Sequence, residues 1–408
     1  MAELAEARAR TLALASDLAD EQLIVPRLDI INPILWELGH IAYFAEFWIL
    51  RGLLGRAPMI ENADQLYDSA KVAHDDRWTL PLPSREQTLD FMRREFEAIS
   101  ECSRELNDNA DAQYFYRLVL HHEDMHAEAL TYTRQTLGYA VPAYATATVP
   151  GSHPLPGDVR VSGGRYYIGA RPSDGFVFDN EKWAHEVELG AFNIARAPVT
   201  NAEFLAFVEA GGYAKSALWS AEGWMWREKA GADRPIYWAA DLKTRRSFDH
   251  EIPLSEHEPV CNVNYYEAQA FCAWNGRRLP TEAEWEVAAT GGQPRRYPWG
   301  DQAPHDVANT DAVYGGICDV GAFEDGESPT GCRQMIGNVW EWTSSAFGPY
   351  PGFSPDPYKE YSEPWFGTHQ VLRGGAWTTR ARLISTRWRN FYQPSRRDIM
   401  TGFRTVKL

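Results

Sequence analysis

The chain has 408 residues, 44% of them hydrophobic and 24% charged, an ordinary globular composition that argues for two or three domains of roughly 150 residues each. Asp and Glu outnumber Lys and Arg by 56 to 40, giving a net charge of −16, which disfavours nucleic acid or an anionic membrane surface as the partner.

Residues 1–138 read as a helical domain. The N-terminus carries mixed charge and no apolar core of signal-peptide type. Ala2 to Leu18 is rich in Ala, Leu, Glu and Arg, all good helix formers. Asn32-Pro33, as cap and first helical residue, opens a second helix over Ile34 to Arg51 that ends at Gly52. The stretch Ile31 to Leu50 is the most apolar, yet it holds Glu37, His40 and Glu46, which argues against a membrane span. Ser84-Arg-Glu-Gln87 has the form of a capping box and starts a third helix running to about Leu106. A fourth spans Asp111 to Gly138. Four such segments predict an up-and-down four-helix bundle.

Residues 139–158, rich in Pro, Ala, Thr and Gly, read as a linker. Residues 159–408 are of different material, with 13 of the 16 tryptophans and frequent Gly and Pro. Strands are expected over Val161–Ile168 and His185–Leu189, and helices over Thr200–Glu209 and Tyr265–Trp274. The fold class expected is α + (α+β): the bundle joined to a compact mixed domain with little regular structure, held by large aromatics. The five cysteines (Cys102, Cys261, Cys272, Cys318, Cys332) show no CxxC spacing. They read as buried small apolar residues in a reduced, cytoplasmic compartment.

The sharpest local signal is His121-His-Glu-Asp-Met-His-Ala-Glu128. His122 and His126 are four residues apart on a helix, so their side chains lie one turn apart on the same face, as two ligands of one metal ion require. His40, inside the apolar second helix, is the candidate third ligand, because bundles build metal sites from facing helices. Glu128 is a candidate partner for a ligand imidazole. Spacing alone leaves a hydrogen-bonded core or a solvated face as alternatives, and it does not choose among iron, copper, nickel and zinc.

The second half carries more specific wording. Pro198-Val-Thr-Asn-Ala-Glu-Phe204, Arg278-Leu-Pro-Thr-Glu-Ala-Glu-Trp-Glu286, Gly337-Asn-Val-Trp-Glu-Trp-Thr343, Val371-Leu-Arg-Gly-Gly-Ala-Trp377 and Gly402-Phe-Arg404 occur in that order. Together they resemble the formylglycine-generating-enzyme fold, which is related to C-type-lectin-like domains. Leu38-Gly-His40 and His122-x-x-x-His126-x-Glu128 resemble a DinB-like bundle. The two joined in this order resemble the ergothioneine-type sulfoxide synthases over nearly the whole chain. The resemblance implies Fe(II) held by His40, His122 and His126, with O2 as co-substrate. It also implies a small-molecule reaction that joins a sulfur donor to carbon 2 of the imidazole of hercynine, without nucleic acid or membrane. Formylglycine generation itself is disfavoured, since residues 373–408 contain no cysteine.

The same resemblance assigns Asn390 and Phe391 to the betaine end of hercynine. Phe391 stands where the family has Trp, and a quaternary ammonium over its face would gain roughly 0.5–2 kcal/mol. Tyr392 replaces an Asp of the synthases that use γ-glutamylcysteine and becomes the candidate proton donor, with Tyr350, Tyr358 and Tyr361 as rivals. Met125 replaces a common Gln before the third ligand. Arg77 and Arg396 are the only cations left to clamp a donor, too few for a dianionic dipeptide. The wording Asn32-Pro-x-x-Trp-Glu-Leu-Gly-His40 and Tyr67-Asp-Ser69…Arg77-Trp-x-Leu-Pro-Leu-Pro83 is most similar to the selenoneine synthase branch, which implies a selenosugar donor and a carbon–selenium bond. A synthase using cysteine or γ-glutamylcysteine, a DinB-type metal-dependent thiol transferase and a lectin-like binding module are the competing expectations.

Overall fold

Alanine, leucine and long straight side chains build the first element, α1 (Ala2–Ser16), which buries Leu4, Ala7, Thr11 and Leu14 on one stripe. This is a computed structural model that describes all residues except 104–109, 144–146, 149–152 and 305. The chain divides into two units, Met1–Arg134 and Gln135–Leu408.

In the first unit α1 is followed by the short α2 (Asp20–Ile24) and by α3 (Ile34–Ala45), all twelve residues of which are buried. The same rod continues as a π-helical stretch over Glu46–Leu53, which the sequence pattern reads as ordinary α-helix. Then come α4 (Ala63–Tyr67), a 3-10 turn over His74–Trp78, α5 (Arg85–Cys102) and α6 (Ala110–Leu137). The expected capping box forms: the Gln87 amide donates to Ser84 Oγ at 3.3 Å and the Ser84 amide to Gln87 Oε1 at 2.9 Å. The expected extension of this helix to Leu106 falls partly on 104–109, outside the described residues. The long rods α1, α3, α5 and α6 form the helical bundle. Arg8 on α1 ties three of them together, donating to Glu95 of α5 at 2.9 Å and to Glu123 of α6 at 2.8 Å. One start differs from expectation: the helix begins at Ile34 with Pro33 as its N-cap, and the Asn32 side chain caps nothing. It bonds Arg77 and Glu37 instead.

Of the expected linker, 144–146 and 149–152 lie outside the described residues. The second unit opens with β1 (Asp158–Val161) and β2 (Gly164–Ile168) where one strand was expected. Of the strand expected over Val161–Ile168, Gly164–Ile168 forms β2 and Val161 ends β1, and the two strands pair with different partners. β2 forms a hairpin with β3 (His185–Leu189), and β1 pairs antiparallel with β4 (Phe192–Ala195). Next come α7 (Asn201–Glu209), α8 (Ala221–Ala230), the hairpin of β5 (Thr244–Ser247) and β6 (His250–Pro253), and α9 (Tyr265–Trp274). Then β7 (Arg277–Arg278), α10 (Glu282–Thr290), β8 (Trp340–Ala346), β9 (Gln370–Arg373), β10 (Asn390–Tyr392), β11 (Thr401–Gly402) and β12 (Val406–Lys407) complete the unit. Two four-stranded sheets result, in the orders β1-β4-β12-β7 and β10-β9-β8-β11. Between β7 and β12 most of the chain is loop, so order must come from side chains.

The motif residues supply that order by locking onto one another. Glu341 on β8 accepts from Arg404 at 2.6 Å through each oxygen and from Trp285 Nε1 on α10 at 2.9 Å. Arg373 at the end of β9 pairs with Glu286 on α10. Gly337 holds φ +79, and a Cβ there would meet the Asn309 carbonyl oxygen at 2.3 Å, so only glycine fits. Asn338 beside it donates to the Cys318 carbonyl at 2.8 Å and to Gln334 at 2.7 Å. All five cysteines are buried and free of disulfides. Among the described residues no helix is long and apolar enough to cross a membrane.

Candidate metal centre

Two rods of the first unit bring three imidazoles together. α3 presents His40, and one face of α6 presents His122 and His126 a turn apart. One nitrogen from each ring lies within 4.8 Å of the other two. The Nε2 atoms of His40 and His122 are 3.2 Å apart. His40 and His122 are buried, at 3% and 4% exposure, while His126 keeps partial access to solvent.

Each ring is held by a different device. His40 Nδ1 sits 2.7 Å from the Tyr67 carbonyl oxygen, an acceptor, so the proton is on Nδ1 and the Nε2 lone pair is free. Tyr67 can come that close because residue 39 is glycine: a Cβ there would lie 2.3 Å from the Tyr67 ring. Trp36 stacks on His40, with centroids 4.7 Å apart and planes within 10°. The His122 ring stacks on Phe44, at 3.6 Å and 5°. The carboxylate facing His126 Nδ1 is Glu37, with Oε1 at 3.5 Å. Glu37 lies on α3, in the motif next to His40, where the sequence offered Glu128 for that role.

Burial holds the His40 and His122 imidazoles well below their ordinary pKa, and the neighbouring rings push in the same direction. Both are therefore neutral at pH 7, the protonation state a metal ligand needs. Three imidazole nitrogens converging within 4.8 Å of one another, two of them buried, fit a borderline transition ion such as ferrous iron. His121 points elsewhere, with Nδ1 3.8 Å from Asp124.

The other residues singled out from sequence fall into two groups. In the first unit, Met125 lies on α6 beside His126, partly exposed. Arg77 is already engaged: its guanidinium lies 4.0 Å from the Trp36 ring centroid and donates to Asn32 Oδ1 at 2.6 Å.

In the second unit, Asn390, Phe391 and Tyr392 form β10, paired with β9, and all three are half-buried. Phe391 stacks one face on Phe347 at 4.0 Å and meets Tyr361 and His369 edge-on. Asn390 Oδ1 accepts from the Phe391 amide at 2.9 Å. Arg396 makes a two-pronged pair with Asp398, both contacts 2.7 Å, and its guanidinium lies 5.2 Å from the Tyr392 ring centroid. Tyr350, a rival proton donor, is buried under the Arg389 guanidinium at 3.9 Å, and burial pushes its phenol well above the ordinary range.

Sequence reasoning missed Trp36, Phe44, Tyr67 and Glu37 as supports of the triad. Trp36, Glu37 and Phe44 flank His40 by three or four residues on the same buried helix, and that spacing was the available signal.

Known proteins agree with this division. Residues 145–408 match the sulfatase-modifying factor enzyme 1-like domain, and residues 3–130 match the DinB superfamily. A hercynine oxygenase of Mycolicibacterium thermoresistibile is 40% identical, with 98% of this chain and 93% of that protein covered. A hercynine oxygenase of Mycobacterium tuberculosis is 38% identical, with 98% and 96% covered. A formylglycine-generating enzyme of Streptomyces coelicolor is 33% identical over 59% of this chain and 86% of its own length.

Proposed function

The chain belongs to the hercynine oxygenases of the ergothioneine sulfoxide synthase superfamily, and from that premise we propose that it joins a chalcogen donor to carbon 2 of the hercynine imidazole, with O2 as oxidant. The observation that carries this reading is the convergence of His40, His122 and His126, two of them neutral by burial. A ferrous ion at the triad would supply electron transfer to O2 and Lewis acidity toward a thiol or selenol.

The balance is simple. The imidazole C2–H and the donor S–H or Se–H are lost, and one carbon–chalcogen bond forms. O2 takes four electrons, one oxygen ending on the chalcogen and the other in water. The chain's own residues hold the parts. The Tyr67 carbonyl fixes the His40 tautomer, and Phe44 fixes the plane of His122. Asn390 and the ring of Phe391 are assigned to the betaine end of hercynine, Tyr392 to proton delivery, and Met125, beside His126 on α6, to the wall of the substrate site.

For the donor, we propose a selenosugar. A dianionic dipeptide needs cationic clamps, and Arg77 and Arg396 are both committed to partners within the protein. The second reading, cysteine or γ-glutamylcysteine, is favoured by the position of Arg396 over Tyr392, which keeps a cation beside β10.

The test is aerobic incubation of the Fe(II)-loaded protein with hercynine and, in parallel, cysteine, γ-glutamylcysteine or a selenosugar, with products identified by mass spectrometry. Product from the selenosugar alone supports the selenium reading. Turnover with a thiol alone replaces it by the sulfur reading, and no product from any donor sinks both.

A further inference from the structure

Arg77 stands where two chains of contact meet, and each chain ends on a different ligand imidazole. One runs by stacking. The guanidinium lies over Trp36, and Trp36 lies over His40, its indole anchored by donation from Nε1 to the Leu66 carbonyl at 2.7 Å. The other runs by two hydrogen bonds and a closing 3.5 Å polar contact. Arg77 Nη1 donates to Asn32 Oδ1 at 2.6 Å, Asn32 Nδ2 donates to Glu37 Oε1 at 3.0 Å, and Glu37 Oε1 faces His126 Nδ1 at 3.5 Å.

The donor and acceptor roles in this second chain admit one arrangement. A guanidinium only donates and a carboxylate only accepts, so whatever links them must accept on one side and donate on the other, as a primary amide does. Glu37 is 2% exposed, and its Oε2 has no hydrogen-bond partner among the described residues. Such a carboxylate is costly to bury unless something uses it. An imidazole whose Nδ1–H faces a carboxylate keeps its Nε2 lone pair for a metal and gains basicity.

We infer that Arg77, Asn32 and Glu37 are positioning residues that set the planes of His40 and His126 together, and that Arg77 is not a clamp on the substrate. The inference rests on the proposed metal-binding role of the triad. Without Arg77 the Trp36–His40 stack loses its outer face and Asn32 loses the contact that orients its amide. Asn32→Asp replaces the donor facing Glu37 with a second carboxylate and turns Glu37 away. Lysine at 77 keeps the charge but neither stacks as a plane nor forks.

The test is titration of the full-length protein with Co(II) alone, followed by visible absorption, whose d–d bands report the ligand set, and by competition with a chelator. Wild type should bind one equivalent. Asn32→Asp and Glu37→Gln, both close in shape to the native residues, should each weaken Co(II) binding roughly 10- to 100-fold and shift the bands. Their double variant should be little worse than the weaker single one. Arg77→Lys should fall between these and wild type, and it carries the test by itself should an Asn32 or Glu37 variant fail to fold.

Wild-type affinity and spectrum in all folded variants would overturn the inference. So would an Arg77→Lys enzyme whose only change is a raised KM for the chalcogen donor, which would return Arg77 to substrate binding. Failure of the wild-type protein itself to bind Co(II) would instead remove the metal-site reading beneath it.

Discussion

The two units carry their most recognisable residues for opposite purposes. In the first, a few motif residues on two helices turn toward one another and bring three ring nitrogens within 4.8 Å of each other. In the second, motif residues from α10, β8, β9 and the C-terminal segment bond to each other, as in the Glu341–Arg404–Trp285 cluster and the Arg373–Glu286 pair. The longer signature thus marks the scaffold, while the short His-x-x-x-His spacing marks the candidate metal centre. The specificity of a sequence pattern measures how tightly residues depend on one another, not whether they touch a substrate.

That contrast can be broken most forcefully at Glu341. Glu341→Gln leaves the Arg404 guanidinium, which has no solvent exposure, without its counter-charge, and should destabilise the second unit by about 3–5 kcal/mol. Denaturant unfolding followed by tryptophan fluorescence checks this, because 13 of the 16 tryptophans lie beyond residue 158. Metal uptake by the first unit should survive in the same sample. Its loss in the folded protein would mean that the two roles are not separable.

Gly39→Ala tests the other side. The added methyl meets the Tyr67 ring and displaces the carbonyl that holds His40. The overpacking should cost roughly 1–3 kcal/mol, and metal affinity should fall while the unfolding transition of the second unit stays in place. Calorimetry and metal titration read the two effects separately.

The smallest effect is expected at His369, beside Phe391. Burial, and then the Arg396 charge, lower its imidazole pKa to about 4 from an ordinary 6.5. The unfolded chain therefore binds more protons than the folded one between these values. The contribution of His369 is fully present above about pH 6.5 and is lost as pH falls through about 4. His369→Gln should flatten that part of the stability–pH curve, as measured by thermal unfolding across pH 4 to 7 (roughly the span between the two pKa values).

Much of the first unit was legible because long helices repeat their pattern often. The capping box at Ser84, the rods that became α1, α5 and α6, and the His122–His126 spacing all follow from a 3.6-residue period. Asn32 was misread as a cap because Asn before Pro commonly is one. Its tertiary partners, Arg77 and Glu37, outweighed that local preference. The π-helical stretch over Glu46–Leu53 leaves the same apolar pattern as an α-helix and so gives no separate signal.

In the second unit α9 and β3 follow their local patterns, but α8 and α10 went unread. Their turns are short, and several charges that look solvent-facing, such as Glu284 and Glu286, are buried in pairs with arginines. The Glu286–Arg373 pair, 87 positions apart, is a tertiary fact that no local window contains. At the candidate metal centre the three converging imidazoles could be read from spacing and family resemblance. Two of their supports could not, because the Tyr67 carbonyl and the Arg77 guanidinium over Trp36 come from elsewhere in the chain.

The central claim is that three imidazoles from two helices hold one ferrous ion. Its most direct measurement is iron content after anaerobic loading and dialysis, comparing wild type with His40→Ala, since His40 is the ligand from the other helix. One iron per wild-type chain, and none retained by a folded His40→Ala variant, is the predicted result. Equal iron in the two proteins would contradict the account.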